Sequence, residues 1–260
     1  MSWNIRAGGG RRLQDIADQL ERLQPDVVAL SEFRGTAPSQ ELKDLLQAQG
    51  LTYQVDISDP LKPATNSLLF ASRVRGRRVR HVRAPVYERR WLCVKLATPV
   101  PLWIGVLHVP NYVTGRQLTF RDSILSLAQN WRSGACLIVG DTNSGLPDIE
   151  EENPIFGSAE VEWFGALAAC GWEDAFRVLR GDERAYTWYS PNAGNGFRLD
   201  QAFANGEVMA HIKRVEYIWG RAPGGESRRE ALSDHAALLI DLEVPGIQGN
   251  CQTTTSHRLA

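Results

Sequence analysis

No apolar run in the chain approaches the ~20 residues that a membrane-spanning helix requires, and the start lacks a charged-then-apolar leader. No membrane insertion is expected. Cysteine is scarce. The four present, Cys93, Cys136, Cys170 and Cys251, are scattered, and no pair has the spacing of a zinc site or a redox motif. That excludes a disulfide framework and makes a reducing, cytoplasmic setting the expected one. Charge of one sign is also missing. The net charge is -1, so no global positive field draws in a polyanion, and nucleic-acid binding has to rest on a local patch. Phosphate-binding P-loops and Gly-x-Ser-x-Gly elbows are absent. So are internal repeats and low-complexity linkers.

What is present is an ordinary globular composition, 43% hydrophobic and 23% charged over 260 residues. Layered sheet folds reach this length as one unit. The expected organisation is a monomeric single domain over residues 1–244 with a polar, disordered tail at 245–260.

One stretch organises the rest. Ala135 to Val139 is an apolar run that enters Gly140, Asp141 and Asn143. It reads as a strand buried on both faces that delivers a carboxylate and an amide to the rim of a sheet. A plain Asp/Asn turn fits the same residues. The chain opens on a strand ending near Asn4. That strand begins at Met1, so upstream residues are expected to be missing or the start codon to lie earlier. A helix over about 13–23 follows, then a buried strand, 26–32, ending in Glu32, and a helix over about 39–49. Strands at about 52–57, 66–72, 78–83, 90–97 and 101–107 form a meander. Helices at about 114–131 and 161–170 flank an acidic stretch, 145–159, read as a surface loop. The last strands fall near 197–204, 209–219 and 236–243. Strands outnumber helices. That predicts an α/β protein, a layered sandwich with two sheets at its centre and helices covering the outside.

Polar residues recur where strands end: Asn4, Glu32, His108, Asp141, Asn143, Asp200, Asp234 and His235. Taken singly, each also fits a cap, a turn or a satisfied core histidine. Taken together on one rim they form an oxygen-rich set suited to a hard cation such as Mg²⁺, with histidines and carboxylates for hydrolysis at phosphorus.

The ordered set Ser2-Trp-Asn-Ile5, Ala29-Leu-Ser-Glu32, His108-Val-Pro-Asn111, Gly140-Asp-Thr-Asn143, Arg198-Leu-Asp200 and Ser233-Asp-His235 resembles the endonuclease/exonuclease/phosphatase superfamily over residues 2–243. The resemblance implies a four-layered α/β sandwich with two central mixed, mostly antiparallel sheets flanked by helices, and Mg²⁺ or Mn²⁺ dependence, with Glu32 as the main metal ligand and Asn4 and Asp234 close to the metal. It implies that Asp141 activates water, Asn143 positions it, His235 stabilises phosphoryl oxygens, Asp200 orients His235, and His108 contacts phosphate. Several segments are similar to exonuclease III-like abasic-site endonucleases. They include Phe120-Arg-Asp122, Asp174-Ala-Phe-Arg177, Tyr186-Thr-Trp-Tyr189 and Gly196-Phe-Arg-Leu-Asp200. By that match Asn111 and Arg121 contact substrate, and Trp188 and Phe197 line a pocket for a base-less sugar. Core aromatics are the other reading of that pair. The chain departs from those enzymes at Arg6, where they carry an acidic or amide residue near the metal, and at Arg34, His108 and Gln201.

Arg73, Arg75, Arg77, Arg78, Arg80, Arg83, Arg89 and Arg90 form an arginine strip, opposed only by Glu88. Such a strip serves a phosphate backbone or simply solubilises an edge strand. DNA is the expected substrate partner. A small-molecule, nucleotide or lipid phosphoester, and a catalytically silent binding domain, are the alternatives.

Overall fold

The computed structural model describes residues 1–81, 84–85, 87, 89–131, 134–220 and 231–243. In chain order the first half runs β1 (Ser2–Asn4), α1 (Leu13–Leu23), β2 (Val27–Phe33), α2 (Ala37–Ala48), β3 (Tyr53–Asp56), β4 (Ser67–Ser72), β5 (Gly76–Val79), β6 (Trp91–Leu96) and β7 (Leu102–His108). Then come α3 (Gln117–Asn130), β8 (Ala135–Asp141), α4 (Ser158–Ala169), β9 (Trp172–Asp174), α5 (Ala175–Arg180), β10 (Trp188–Tyr189) and β11 (Gly196–Phe197). The chain closes with β12 (Asp200–Asn205), α6 (Gly206–Met209), β13 (Ile212–Ile218) and β14 (Ala237–Leu242).

Two six-stranded sheets result, ordered β13-β14-β1-β2-β4-β3 and β5-β6-β7-β8-β12-β9. Both are mixed, because β1 pairs β2 in parallel and β7 pairs β8 in parallel, while the other neighbours are antiparallel. Side-chain alternation explains the layers. On β4, Leu68 and Phe70 face the other sheet, while Leu69 and Ala71 face α1 and α2. On β8, Leu137 and Val139 turn inward, while Cys136 and Ile138 pack under α3 and α4. One apolar core lies between the sheets and one beneath each helical layer, which is the four-layered sandwich expected from the sequence. Among the described residues no helix is long and apolar enough to cross a membrane.

Register places the polar strand ends on one rim. His108 pairs with Asp141 across β7 and β8, and Asp200 pairs with Asp141 across β8 and β12. Gly140 makes the close approach possible. At φ +140° a Cβ there would sit 2.0 Å from the Leu107 carbonyl oxygen, so only glycine fits. On β2 a register shift between Ser31 and Phe33 puts Glu32 at φ +58°. This bulge aims the Glu32 side chain off the strand.

Three expectations change. The stretch 145–159 is not simply a surface loop, because Glu150 and Glu151 are buried, at 0% and 2% exposure. Glu150 pairs with Arg198 and Arg177, and Glu151 accepts the backbone N–H groups of Ile155 and Phe156. The strand read over 197–204 is broken, because the chain leaves β11 at Phe197 to bond Arg198 N–H to the Glu150 carbonyl at 2.9 Å before β12 begins. The strand read at 78–83 starts earlier, at Gly76, and is described only to Val79 as strand; Arg83 and Glu88 lie outside the described residues. The tail at 245–260 and Cys251 also lie outside them. Cys93 and Cys136 are buried, and burial pushes both thiols up to about 12, so they are core residues without nucleophilic character.

Candidate active site

Asp141 is the hub. It is 1% exposed, and its Oδ1 accepts the Asn143 N–H at 2.8 Å while Oδ2 accepts Asn4 Nδ2 at 3.1 Å. His108 Nε2 lies 3.7 Å and His235 Nε2 3.9 Å from the same Oδ2. Thus the ends of β1, β7 and β8 and the segment before β14 converge on one carboxylate. Asn143 is fixed in the left-handed region at φ +46°. Its Nδ2 donates to the Val109 carbonyl at 2.7 Å, and its own carbonyl accepts Gln117 Nε2 at 2.8 Å.

Behind His235 stands Asp200. Its Oδ2 is 2.8 Å from His235 Nδ1, which places the proton on Nδ1 and leaves Nε2 toward Asp141. The Asp200 Oδ1 is buried without a hydrogen-bond partner among the described residues. A buried carboxylate oxygen in that state calls for a cation, water or ligand. His235 is held by the Trp3 indole N–H to its carbonyl at 2.9 Å and by its own N–H to Ser233 Oγ at 3.3 Å. Ser233 in turn donates to the Asn4 carbonyl at 2.6 Å. The Ser-Asp-His segment is therefore stitched to β1.

The electrostatics separate the two histidines. Burial alone would lower His235, but Asp200, Asp141 and Asp234 carry it up to about 9. It is a cation at neutral pH. His108 is pushed well below the usual imidazole range by burial, Arg90 and His235, so it is neutral. Burial, then the charge of Asp200, pushes Asp141 up to about 7 against the pull of His235. An anion-stabilising proton and a proton acceptor thus sit side by side.

Glu32 lies across the rim. Its Oε2 accepts the Ala7 N–H at 2.7 Å. Asp234 is 38% exposed at its side chain and faces Arg6, with Nε to Oδ2 3.9 Å. Ligand atoms of Asp141, Asp200 and His235 lie within 4.8 Å of one another. The His235 Nδ1 is already committed to Asp200, so that trio suits proton handling. The carboxylate and amide oxygens of Glu32, Asn4 and Asp234 are hard donors of the kind that Mg²⁺ or Mn²⁺ takes.

Not every candidate reaches the rim. Arg121 is 2% exposed, bonds Ser144 Oγ at 2.7 Å and Glu160 Oε1 at 2.6 Å, and stacks on Trp163. Both bonds leave from Nη2 and tie α3 to α4, and Nε is buried without a partner among the described residues, so the side chain sits inside the protein and is not open to solvent. Phe197 is 4% exposed and packs on Phe156 and Trp188. It backs Trp188, whose ring is 6.4 Å from that of His235. Asn111 is exposed on the loop after β7. Of the arginine strip, Arg75, Arg77, Arg78 and Arg80 are exposed along edge strand β5 and just beyond it. Arg73 donates to the Gln49 carbonyl and Arg89 pairs with Asp59.

Arg90, which the sequence offers only as the last member of the arginine strip, is the one that reaches the site. Its carbonyl accepts the His108 N–H at 3.1 Å, and its Nη1 donates to the His108 carbonyl at 3.3 Å. Burial lowers it, while Asp141 and Glu32 act to raise it. A half-buried guanidinium therefore sits in the field of the two central carboxylates. The signal was available in the hairpin of β6 and β7, because pairing Trp91 with Leu107 sets Arg90 opposite His108.

Comparison with solved structures gives the same architecture. An AP endonuclease from Archaeoglobus fulgidus is 17% identical, with a TM-score of 0.77, covering 94% of this chain and 98% of that one. A 3′ phosphatase, NExo, from Neisseria bound to a product DNA hairpin is 18% identical with a TM-score of 0.76, as is the 3′-5′ exonuclease NExo from Neisseria meningitidis. Each covers 94% of this chain and 98% of its own. No curated protein matches the sequence. The model of the Endonuclease/Exonuclease/phosphatase family matches residues 1–235. With that match over nearly the whole length and the Asn4, Glu32, Asp141, Asp200 and His235 rim in place, the chain belongs to the endonuclease/exonuclease/phosphatase family of phosphoesterases.

Proposed function

We propose that the protein is a divalent-metal-dependent phosphodiesterase acting on DNA, of the abasic-site repair type. The observation that carries the reading is the buried relay from Asn4 through Asp141 to the His235–Asp200 pair, with Glu32 on the same rim. Glu32, with Asn4 and Asp234, would hold a Mg²⁺ or Mn²⁺ ion, which when bound would offset phosphate charge. Asp141 takes a proton from the attacking water, which Asn143 positions; as the water oxygen bonds to phosphorus, the bond from phosphorus to the leaving sugar oxygen breaks, and that oxygen takes a proton from solvent. His235 donates a hydrogen bond to the phosphoryl oxygen as charge builds there, and Asp200 fixes the imidazole for it. Trp188 and the exposed Asn111 flank the path of the substrate. DNA is favoured by the arginines along β5 and by what the structurally similar proteins act on. The alternative, a smaller phosphoester, is favoured by the -1 net charge.

Incubation with an abasic-site duplex, an undamaged duplex, and nucleotide and inositol phosphates separates the two. Selective nicking of the abasic strand supports the DNA reading. Cleavage of the small phosphates alone transfers the activity to the alternative.

Two further outcomes are expected. His235 acts in its protonated form, so kcat/KM is maintained below its folded value and falls as pH rises through about 9. The limb on the acid side belongs to Asp141, which must be ionised, and a bound cation draws it below about 7. A pH–rate profile with no alkaline limb removes His235 from the role. Arg90→Ala is expected to lower kcat/KM for a phosphodiester roughly 10- to 100-fold, as loss of one charge-assisted contact does. An unchanged kcat/KM places Arg90 outside substrate binding.

A further inference from the structure

Asp200 and His235 belong to different sheets. Asp200 opens β12, and His235 leads into β14. Their 2.8 Å contact therefore depends on how the two sheets are held against each other at this rim. On one side β12 is flanked by β8 as far as Asp200, but on the other β9 pairs only with Phe203–Asn205. Among the described residues no second strand flanks Asp200. Its peptide groups need partners from elsewhere, since a buried N–H or C=O without one is costly. Thr187 and Tyr217 supply them. Thr187 Oγ1 accepts the Asp200 N–H at 3.2 Å and the Leu199 N–H at 2.9 Å. Tyr217 Oη, on β13, donates to the Asp200 carbonyl at 2.8 Å and accepts Arg198 Nη1 at 3.0 Å. Thr187 also reaches the other member of the pair. Its carbonyl accepts the N–H of Ala236, the residue after His235, at 2.8 Å, and Trp188 forms a backbone bridge with His235. Thr187 is fully buried, and its own N–H donates to the Phe197 carbonyl at 2.8 Å.

We propose that Thr187, with Tyr217, is a positioning residue for the hydrolysis, standing in for the missing strand beside β12 and fixing Asp200 and His235 relative to each other. The inference rests on the phosphodiesterase reading above, which takes His235 as the group that meets the phosphoryl oxygen. The Thr187 hydroxyl oxygen holds the Asp200 peptide, and the carbonyl of the same residue holds the peptide that follows His235. One residue thus spans the gap between the sheets. Being buried, Thr187 acts through the pair and does not touch substrate. Rate is sensitive to such support, because a misplacement of about 1 Å at a reacting group costs on the order of 10²-fold. Valine in this place keeps the shape and removes the acceptor, leaving the Leu199 and Asp200 N–H groups unpaired. Serine loses a methyl group and keeps the acceptor.

The test compares Thr187→Val, Thr187→Ser and Tyr217→Phe in the full chain, with thermal unfolding to confirm that each is folded. Two quantities are read. One is kcat beside KM for a bis-aryl phosphodiester at saturating Mg²⁺. The other is the proton NMR resonance of His235 Nδ1–H without metal, assigned by its loss in His235→Gln. Thr187→Val is expected to lower kcat roughly 10- to 100-fold with KM unchanged, and to shift or broaden the resonance. Thr187→Ser is expected to keep both close to wild type. Tyr217→Phe, which loses only a hydroxyl, is expected to move both in the direction of Thr187→Val, and it decides the matter if the valine variant does not fold. Wild-type kcat and resonance in folded Thr187→Val, or in Tyr217→Phe where the valine variant is unfolded, overturn the proposal. So does a Thr187→Ser that loses as much as Thr187→Val, because packing and not the hydroxyl is then at work. No turnover by the wild type at any Mg²⁺ concentration is a different failure. It removes the phosphodiesterase reading, and the resonance alone then shows whether Thr187 holds the pair.

Discussion

Asp141→Asn lowers kcat for phosphodiester hydrolysis by roughly 10²- to 10⁴-fold, the range for loss of a general base, and leaves the protein folded. The side chain is 1% exposed and accepts hydrogen bonds from the Asn143 N–H and Asn4 Nδ2. An amide of the same shape keeps the oxygen toward the Asn143 N–H but turns its NH2 toward Asn4 Nδ2, so that one hydrogen bond is lost, about 1 kcal/mol. It loses the basic lone pair and the negative charge that helps to raise His235. Burial already disfavours that charge, which is why the carboxyl is pushed up to about 7. Replacing it by a neutral group therefore costs little in folding. The measurement is kcat beside the thermal midpoint. A large loss of kcat with a nearly unchanged midpoint assigns Asp141 to chemistry. Near-wild-type turnover refutes its role as the base, whatever the midpoint does.

Arg198→Ala produces the largest expected loss of stability, roughly 3–5 kcal/mol, as expected when one member of a buried ion cluster is removed. Arg198 is fully buried and bonds Glu150 and Asp174, and its Nη1 donates to Tyr217 Oη at 3.0 Å. Without it, Glu150 is left in a site where burial already pushes its carboxyl up. Arg177 Nε, 3.0 Å away, gives only partial cover. For a chain of this size the midpoint falls on the order of 10 °C. The cluster also reaches the site, because Tyr217 Oη donates to the Asp200 carbonyl at 2.8 Å. Combining Arg198→Met with Glu150→Gln and Asp174→Asn is expected to recover part of the loss, since it removes the stranded charges along with the cation. An Arg198→Ala protein as stable as wild type shows that water or side-chain movement covers the carboxylates.

The rim was legible in the sequence for a physical reason. Asn4, His108 and Asp141 sit at or beside the ends of apolar runs, and strand ends are read directly from periodicity and glycine. The layering followed from the same runs. Buried ion pairs were not legible. Glu150 and Arg198 are 48 residues apart, and no local pattern separates a buried Glu from one in a solvated acidic loop. Arg121 failed likewise, because Glu160, the partner that buries it, lies 39 residues on. The bulge that turns Glu32 off its strand depends on pairing with β4, which sequence periodicity does not encode. The short elements β9, β10, α5 and α6 were missed because three to six residues, or two in β10, carry too little periodic signal.

The activity proposed for this rim is phosphodiester hydrolysis that depends on a divalent ion. Its most direct test is the hydrolysis rate of a bis-aryl phosphodiester by the full chain, first in EDTA and then as Mg²⁺ is titrated back. No turnover is expected in EDTA, with recovery that saturates as Mg²⁺ is added and no recovery in Asp141→Asn. Turnover that persists in EDTA, or none at any Mg²⁺ or Mn²⁺ concentration with either this ester or an abasic duplex, contradicts the proposed activity.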